Sequence, residues 1–450
     1  MTRTIKLRKG LDINLSGVSE KKNETLSGSV LYALNPDDFV GITPKLVVHE
    51  GDKVMIGSPL FVNKHFPEEC FVSPVSGVVS AIVRGDRRKI LSIQVSPDKE
   101  QRSREFEKVD VNTVSADGMI QLLASSGLLG FVRQRPYDVT ANPSDRPRDI
   151  FVSAFSSMPL AADFSYVVQG QETVFQKGIT ALSRIASVHV GISPAQETTF
   201  LASLENAEVT VFDGPNPAGN VGVQINNVAP INKGEIVWTV GAEEVIFIGR
   251  LIETGKVDLT RTVAVAGSEI LRPAYYRVPV GINLSALLSG QLKKKDHVRI
   301  INGNPLVGIR TDINGFLAAH ATEVTAIPEG DDVHEMLGWI RPRLNQFSTS
   351  RSYFSWLFGK GKSYTLDARI KGGERHIIMS GEYDRVFPMD IYAGYLIKAI
   401  ITGDIDRMEA LGIYEVAPED FAVAEFVDSS KLELQRIVRQ GLDMLRKEMA

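Results

Sequence analysis

Between residues 149 and 266 the chain alternates short apolar runs with segments of helical period, and that rhythm restricts the fold more than any other feature. Asp149-Ile-Phe-Val-Ser-Ala154 reads as a buried strand, and Glu172 to Ser187 as a helix with Val174, Phe175, Ile179, Leu182 and Ile185 on one face. A strand at 188–192, a helix at 194–206 with proline in its first turn, and a strand at 208–212 follow. A strand at 235–240, a helix at 243–254 and a strand at 261–266 repeat the pattern. Strands separated by helices pair in parallel with helices on their faces, which predicts a Rossmann-like sheet. Ligands of such sheets gather beyond the carboxyl ends of the strands, where two loops stand out: Phe155-Ser-Ser-Met-Pro159 and Asp213-Gly-Pro-Asn-Pro-Ala-Gly219. No G-x-G-x-x-G follows any of these strands, so the usual dinucleotide fingerprint is missing.

At 450 residues the chain exceeds one core, since domains run from about 50 to 250 residues. Its net charge of −4 offers no field for nucleic acid, and no nucleic-acid partner is expected. No run approaches the roughly 20 apolar residues that cross a bilayer; the best, Gly394 to Ile401, is interrupted by Lys398. The start, MTRTIKLRKGLDI, lacks the apolar region of a signal peptide, which predicts a cytoplasmic chain. Cys70 is the single cysteine, so an internal disulfide and a four-thiolate iron–sulfur cluster are excluded.

Residues 47–61 and 71–95 are series of short strands broken by Gly-Asp, Gly-Ser-Pro and Ser-Gly turns, two halves that look like a barrel-sandwich of the biotinyl and lipoyl type. Lys64 lies between them, ahead of Pro67 and not at a hairpin tip with acidic or methionine neighbours, so it reads as a solvated loop lysine. Residues 99–107 are a charged linker, and an amphipathic helix spans 114–129. Between 258 and 327, short strands flank a helix at 284–289, with Asn302-Gly303 as a tight hairpin turn. His334-Glu335 lacks a second histidine four places on, so a zinc helix fails. Tyr353, Phe354, Trp356 and Phe358, followed by Gly-Lys-Gly-Lys362, form either a surface patch facing a membrane or another protein of a complex, or a satellite core cluster.

From Gly372 onward the chain reads as a glycine turn, a short strand at 375–380 and a helical hairpin. Asp390 caps its first helix, Gly403 ends it, and Gly412 closes the second in the left-handed conformation. Ser430-Lys-Leu-Glu433 reads as a capping box for a last helix carrying Leu434, Val438, Leu442 and Leu445 on one face. The words GGER at 372–375, Glu382-Tyr-Asp-Arg-Val-Phe-Pro-Met-Asp390-Ile, Gly403-Asp-Ile-Asp406 and Glu409-Ala-Leu-Gly412 closely resemble the A subunit of the sodium-translocating NADH:quinone oxidoreductases (Na+-NQR) of bacteria. So does Lys9-Gly-Leu-Asp12 near the start. The loop at 213–219 resembles the family's Gly-Pro-His-Pro-Ala-Gly run with Asn216 in place of the histidine, which removes a titratable group there.

The resemblance covers nearly the whole chain and extends to the flavoprotein subunit of complex I and to the C subunit of the Rnf complex. It implies a multidomain α/β and α+β architecture. The expected parts are a barrel-sandwich over 1–100, a Rossmann-like domain over 101–257 and a β-grasp (SLBB-like) domain over 258–330. A connecting segment with the aromatic loop follows over 331–382, then a helical domain over 383–450. Where the complex I relative has a glycine-rich flavin loop, this chain has Phe131, Val132, Arg133 and Gln134, whose side chains obstruct approach to a flavin phosphate. Glu425 to Asp428 holds no cluster cysteine. The implied role is a peripheral subunit on the cytoplasmic face of the bacterial inner membrane, in a complex coupling NADH oxidation and quinone reduction to sodium export. FAD, FMN, iron–sulfur, NADH and quinone would be held by the other subunits (B to F), chiefly with the membrane-embedded B subunit as neighbour, and no redox cofactor by this chain. Phe131, Arg133, Phe155 and Asn216 are the candidates for bordering a quinone, which needs an apolar slot with one or two donors. The alternatives are an assembly scaffold without ligand and an independent soluble enzyme acting on a nucleotide or phosphate.

Overall fold

The computed structural model describes residues 3–26, 30–334, 342–349, 351, 353–358, 361–378 and 381–449. Its central sheet has seven strands, ordered Arg3–Lys6, Glu208–Asp213, Ser187–Ile192, Asp149–Ser153, Val237–Gly241, Val132–Arg135 and Val139–Thr140. The first five are parallel and the last two antiparallel. Ile150, Val152, Val188, Val190, Val237 and Val240 are buried, as expected of parallel strands covered on both faces. Helices Glu172–Leu182 and Ala242–Thr254 pack on each other, and Val221–Val228 lies against the strand Asp149–Ser153. The expected helix at 194–206 is two separate 3-10 turns, Pro194–Gln196 and Phe200–Ser203.

A second sheet runs Ile309–Thr311, Val298–Asn302, Glu323–Pro328, Thr260–Ala266, Ala274–Pro279 and Asn23–Glu24. The expected two-residue turn at Asn302-Gly303 is replaced by a longer loop, because Asn302 pairs with Ile309. Two smaller sheets build the barrel-sandwich: Tyr32–Leu34, Ile90–Pro97, Gly77–Arg84 and Lys53–Val54 in one, Pro44–Leu46, Pro59–Asn63 and Cys70–Val72 in the other. Phe61 and Phe71 stack at 4.6 Å in its core, and Lys64 is an exposed residue of the connecting turn. The first two strands of the chain belong to neither half. Arg3–Lys6 extends the central sheet and Asn23–Glu24 the six-stranded one, so the amino-terminal residues stitch the other two layers together. One continuous hydrophobic core joins all three.

A second core lies among the carboxyl-terminal helices, where Leu396, Ile397, Leu434, Val438, Leu442 and Leu445 are sealed and Val223 of the central layer joins them. Several local readings need correction here. Asp390 does not cap a helix, which starts at Ala393, and the Asp390 amide donates to Asn226 Oδ1 at 3.1 Å. Ser430 does not cap the last helix, which runs Leu434–Glu448; its hydroxyl accepts from the Ile378 amide at 3.1 Å. The described residues 375–378 form no strand, and Met379 and Ser380 lie outside the described residues. Gly403 and Gly412 do adopt the left-handed conformation, with φ of 68° and 88°. Among the described residues no helix is long and apolar enough to cross a membrane.

Candidate functional site

Beyond the carboxyl ends of strands Asp149–Ser153 and Val237–Gly241 opens a cleft of about 480 Å³, walled by the central layer, the six-stranded sheet and Glu419 of the carboxyl-terminal part. Phe131, Arg133 and Phe155 all line it. Asn216, expected beside them, does not. It is fully buried behind the wall: its amide donates to Asp12 Oδ1 at 2.9 Å, its carbonyl accepts from the Leu11 amide at 2.7 Å, and its Oδ1 accepts from the Ser157 hydroxyl at 3.2 Å. Lys9-Gly-Leu-Asp12 forms no strand and is a strap that holds the 213–219 loop in place.

The apolar wall is aromatic. Phe131 meets Phe39 at 5.9 Å, Phe247 at 5.7 Å and the imidazole of His320 at 5.5 Å, all edge to face. Burial holds His320 neutral, well below its ordinary pKa, and the nearby Arg133 and Arg261 add to that. Phe155, Met158, Phe164 and Val167 continue the wall.

The polar wall is dominated by acids. Helix Ala242–Thr254 begins at the cleft with Glu243 and Glu244 in its first turn, both buried. Glu244 accepts from Arg261 Nη2 at 2.7 Å, and its carboxylate folds back over Gly241: a Cβ there would lie 2.0 Å from Glu244 Oε2. Glu243 accepts from the Thr262 amide at 2.5 Å, and burial pushes it up to about 7. Asp38, on the opposite wall, is also raised to about 7 by burial, although it accepts from the Ala319 amide at 2.8 Å.

The second helix facing the cleft, Val221–Val228, receives its carboxylate from far along the chain. A Cβ on Gly222 would lie 2.3 Å from Asp420 Oδ2 and 2.5 Å from its Oδ1, so Asp420 occupies the first turn of that helix. Arg135, itself buried, holds it there: Nη1 lies 3.3 Å from Asp420, Nη2 3.3 Å from Glu419 and Nε 3.8 Å from Asp138. Burial and then the neighbouring Asp420 raise Glu419 to about 7, even though its outer edge reaches solvent. Burial works in the same direction on Asp138, but Arg133 and Arg135 outweigh it and hold that carboxyl below its ordinary value. Helix amino termini attract phosphates through their free amides and positive dipole. Both such termini at this cleft already carry a carboxylate of the chain itself.

Of the aromatic loop, Phe354, Trp356 and Phe358 are exposed, while Tyr353 is half-buried with the Arg343 guanidinium 5.3 Å from its ring centre. Trp339, Gly359 and Lys360 lie outside the described residues, as does Glu335. His297, Asp331 and Asp332 form an exposed group elsewhere, a surface ion pair with an added acid.

Of the four residues singled out from the sequence, Phe131, Arg133 and Phe155 line the cleft and Asn216 does not, and the acids were not anticipated. Glu243-Glu244 looks like ordinary first-turn helix chemistry, and only the tertiary fold buries it. His320, flanked by alanines in Leu317-Ala-Ala-His-Ala321, carried a legible signal, since a polar residue inside a small apolar run is a candidate for burial.

Comparison with known proteins places three family models on the chain: the NqrA N-terminal barrel-sandwich hybrid domain over residues 5–98, the NqrA second alpha/beta domain over 114–257, and the NQRA C-terminal domain, of SLBB type, over 262–312. Proteins named as the A subunit of Na(+)-translocating NADH-quinone reductase, from Yersinia pestis bv. Antiqua and Cellvibrio japonicus, are each 35% identical to this chain, over 99% of it and 100% of their own length. The one from Haemophilus influenzae is 34% identical over the same shares. An NAD+-reducing NiFe-hydrogenase structure overlaps 48% of this chain and 50% of its own at 13% identity with a TM-score of 0.34, too slight a likeness to bear on the argument.

Proposed function

The chain belongs to the family formed by the A subunits of the Na(+)-translocating NADH-quinone reductases, and from that premise we propose that it works as a peripheral subunit of such an enzyme, carrying no redox cofactor of its own and bordering the quinone. The observation that carries this reading is the cleft. Its aromatic wall of Phe131, Phe155 and Phe164 suits a neutral ring, while both helix amino termini that could bind a phosphate are filled by Glu244 and Asp420. A flavin mononucleotide or a nicotinamide dinucleotide would bring phosphates against Glu244 and Glu323 in the cleft wall, a like-charge arrangement that costs several kcal/mol. A quinone headgroup brings two carbonyl acceptors instead. Arg133 is a donor at the rim, and the carboxyls of Glu243 and Asp38, holding protons up to about 7, are donors inside. The electron-carrying groups would then sit on partner subunits, with the membrane-embedded B subunit the chief neighbour on the cytoplasmic side of the membrane.

Equilibrium binding of a short-chain quinone analogue to the purified chain tests the reading. Saturable binding, weakened about tenfold or more by Phe155→Ala, is expected, since that change removes a half-buried ring from the wall. No binding up to the solubility limit favours the ligand-free scaffold. Tight flavin or nicotinamide on the purified chain overturns the proposal outright.

A further inference from the structure

We propose that the segment around Phe354–Phe358 is a lipid-headgroup site that seats the chain on an anionic bilayer surface, independently of what the cleft holds. Phe354–Phe358 forms one short helical turn. One side of it is fastened to the body of the protein: Ser355 is buried, its carbonyl accepts from the Tyr364 hydroxyl at 3.3 Å, and the Phe354 amide donates to the Pro342 carbonyl at 3.0 Å. Tyr364 in turn meets Phe347 edge to face at 5.7 Å, and Phe347 meets Phe426 at 5.9 Å, so the base of the turn is a run of aromatic contacts reaching the carboxyl-terminal helices.

The other side is open. Phe354, Trp356, Leu357 and Phe358 stand 55%, 45%, 62% and 55% exposed, an apolar surface presented from a single turn. Cations lie on its rings: the Arg351 guanidinium is 5.4 Å from the Trp356 ring centre and Lys362 Nζ is 4.5 Å from that of Phe358. Lys362 is held in place by donating to the Leu344 carbonyl at 2.9 Å and to Asn345 Oδ1 at 3.1 Å. Across residues 341–375 eight Arg or Lys stand against two acids, a local charge of +6 in a chain whose total is −4.

That combination selects the occupant. A buried apolar groove on a protein would accept the rings but strand the cations among them, whereas an anionic bilayer accepts both at one depth. Aromatic rings settle at headgroup level, long basic side chains reach the phosphates, and each basic residue near such a surface adds to the attraction. The fastening through Ser355 and Tyr364 presents the rings with little ordering left to do on contact.

Sedimentation of the purified full-length chain with vesicles tests this directly. The expected result is retention by vesicles of phosphatidylcholine mixed with phosphatidylglycerol, little retention by phosphatidylcholine alone, and release by added salt. The charge-preserving variant Phe354→Ser/Trp356→Ser/Leu357→Ser/Phe358→Ser should lose retention. Arg351→Gln/Lys362→Gln, which keeps the rings, should weaken it about 25-fold, or about fivefold per charge removed. Unchanged circular dichroism and melting temperature certify that each variant is folded. Equal retention by both vesicle types, no retention by either, or retention that neither variant reduces overturns the proposal. So does a serine variant that loses its companions in detergent-free membranes while the parent chain ignores vesicles, which would assign the loop to a protein partner.

Discussion

Arg135→Met is the substitution whose consequences the structure defines most sharply. Among the described residues Arg135 is the one cation in contact with all of Asp138, Glu419 and Asp420, at 3.8, 3.3 and 3.3 Å, and Arg133, at 3.4 Å from Asp138, is the ion-pair partner that remains when it is removed. Taking one partner from a buried ion pair costs about 3–5 kcal/mol because charge is left without compensation. Here the acids can respond by binding protons. Glu419 and Asp420 already sit above their ordinary values through burial, and loss of Arg135 pushes both further up. A carboxyl whose folded pKa exceeds its unfolded pKa holds a proton that the unfolded chain has released, so stability falls as pH rises through that interval. Each such proton gives a slope of about 1.4 kcal/mol per pH unit. The penalty for Arg135→Met should therefore be about 3–5 kcal/mol at pH 8 and shrink by about 2 kcal/mol or more on going to pH 6. The chain has more than one core, so global melting would blur the effect. Hydrogen exchange in helix Leu434–Glu448, whose Leu434, Val438 and Leu442 belong to the core bordering this network, reports the local opening free energy. A penalty below about 1 kcal/mol at pH 8, or one equal at both pH values, would refute the reasoning.

Three further outcomes are expected. Glu69 is sealed inside the barrel-sandwich with Asn63 Nδ2 on one oxygen at 2.8 Å and is pushed up to about 7 by burial. It costs stability as pH rises from its unfolded range to 7, so Glu69→Gln should gain about 3 kcal/mol at pH 8 and nothing near pH 4.5 in urea titrations. Leu442→Ala empties a fully buried position in the seam between the last helix and Ala393–Thr402, and should cost about 2–5 kcal/mol in the same exchange measurement while leaving exchange in the barrel-sandwich unchanged. His320, half-buried in the cleft wall, is held well below its ordinary pKa, so the folded state loses stability as pH falls below about 6.5, where the unfolded imidazole charges first; His320→Phe should flatten that acid limb in a thermal-shift series.

How far the sequence discloses this fold depends on whether the cause of each feature is local. The helix starting at 172, the 242–254 helix, the strands at 149–153 and 187–192 and the left-handed glycines at 403 and 412 follow from periodicity and backbone freedom within a few residues, although the first helix ends at Leu182, short of the expected Ser187, which opens the next strand. The capping assignments at Asp390 and Ser430 failed because each group finds its partner elsewhere. The Asp390 amide is claimed by Asn226, and the Ser430 hydroxyl by the Ile378 amide, partners that no local rule can supply. The amino-terminal strands are the same case at larger scale: Arg3–Lys6 and Asn23–Glu24 pair with the distant strands Glu208–Asp213 and Ala274–Pro279, partners that no neighbouring residue announces. Phe131, Arg133 and Phe155 converge because each lies at a strand end or just beyond it, where such sheets bind ligands. The acids facing them were illegible, since a glutamate in a first helical turn is ordinary until a second sheet closes over it.

The two carboxylates at the helix termini differ in origin, and that difference couples the cleft to the docking of the carboxyl-terminal helices. Glu244 belongs to the first turn of the helix whose start it covers, so its position does not depend on the carboxyl-terminal helices. Asp420 reaches the start of Val221–Val228 only because residues 417–421 are seated against the central layer, with Asn220 Nδ2 donating to the Glu419 carbonyl at 3.1 Å and Arg135 bridging both acids. An anion entering at that terminus would have to expel Asp420, break the Arg135 pair and loosen the seat of the following helices in one event. Phosphate binding and carboxyl-terminal docking are in this way mutually exclusive, and the balance lies with docking because the competing carboxylate is tethered at high effective concentration. The prediction is that Asp420→Asn, which keeps the shape and removes the charge, is the change that would let inorganic phosphate bind at the cleft. Phosphate should protect the variant from thermal unfolding in a concentration-dependent way and leave the parent chain unaffected. Equal protection of both would mean that Asp420 does not hold that terminus against anions.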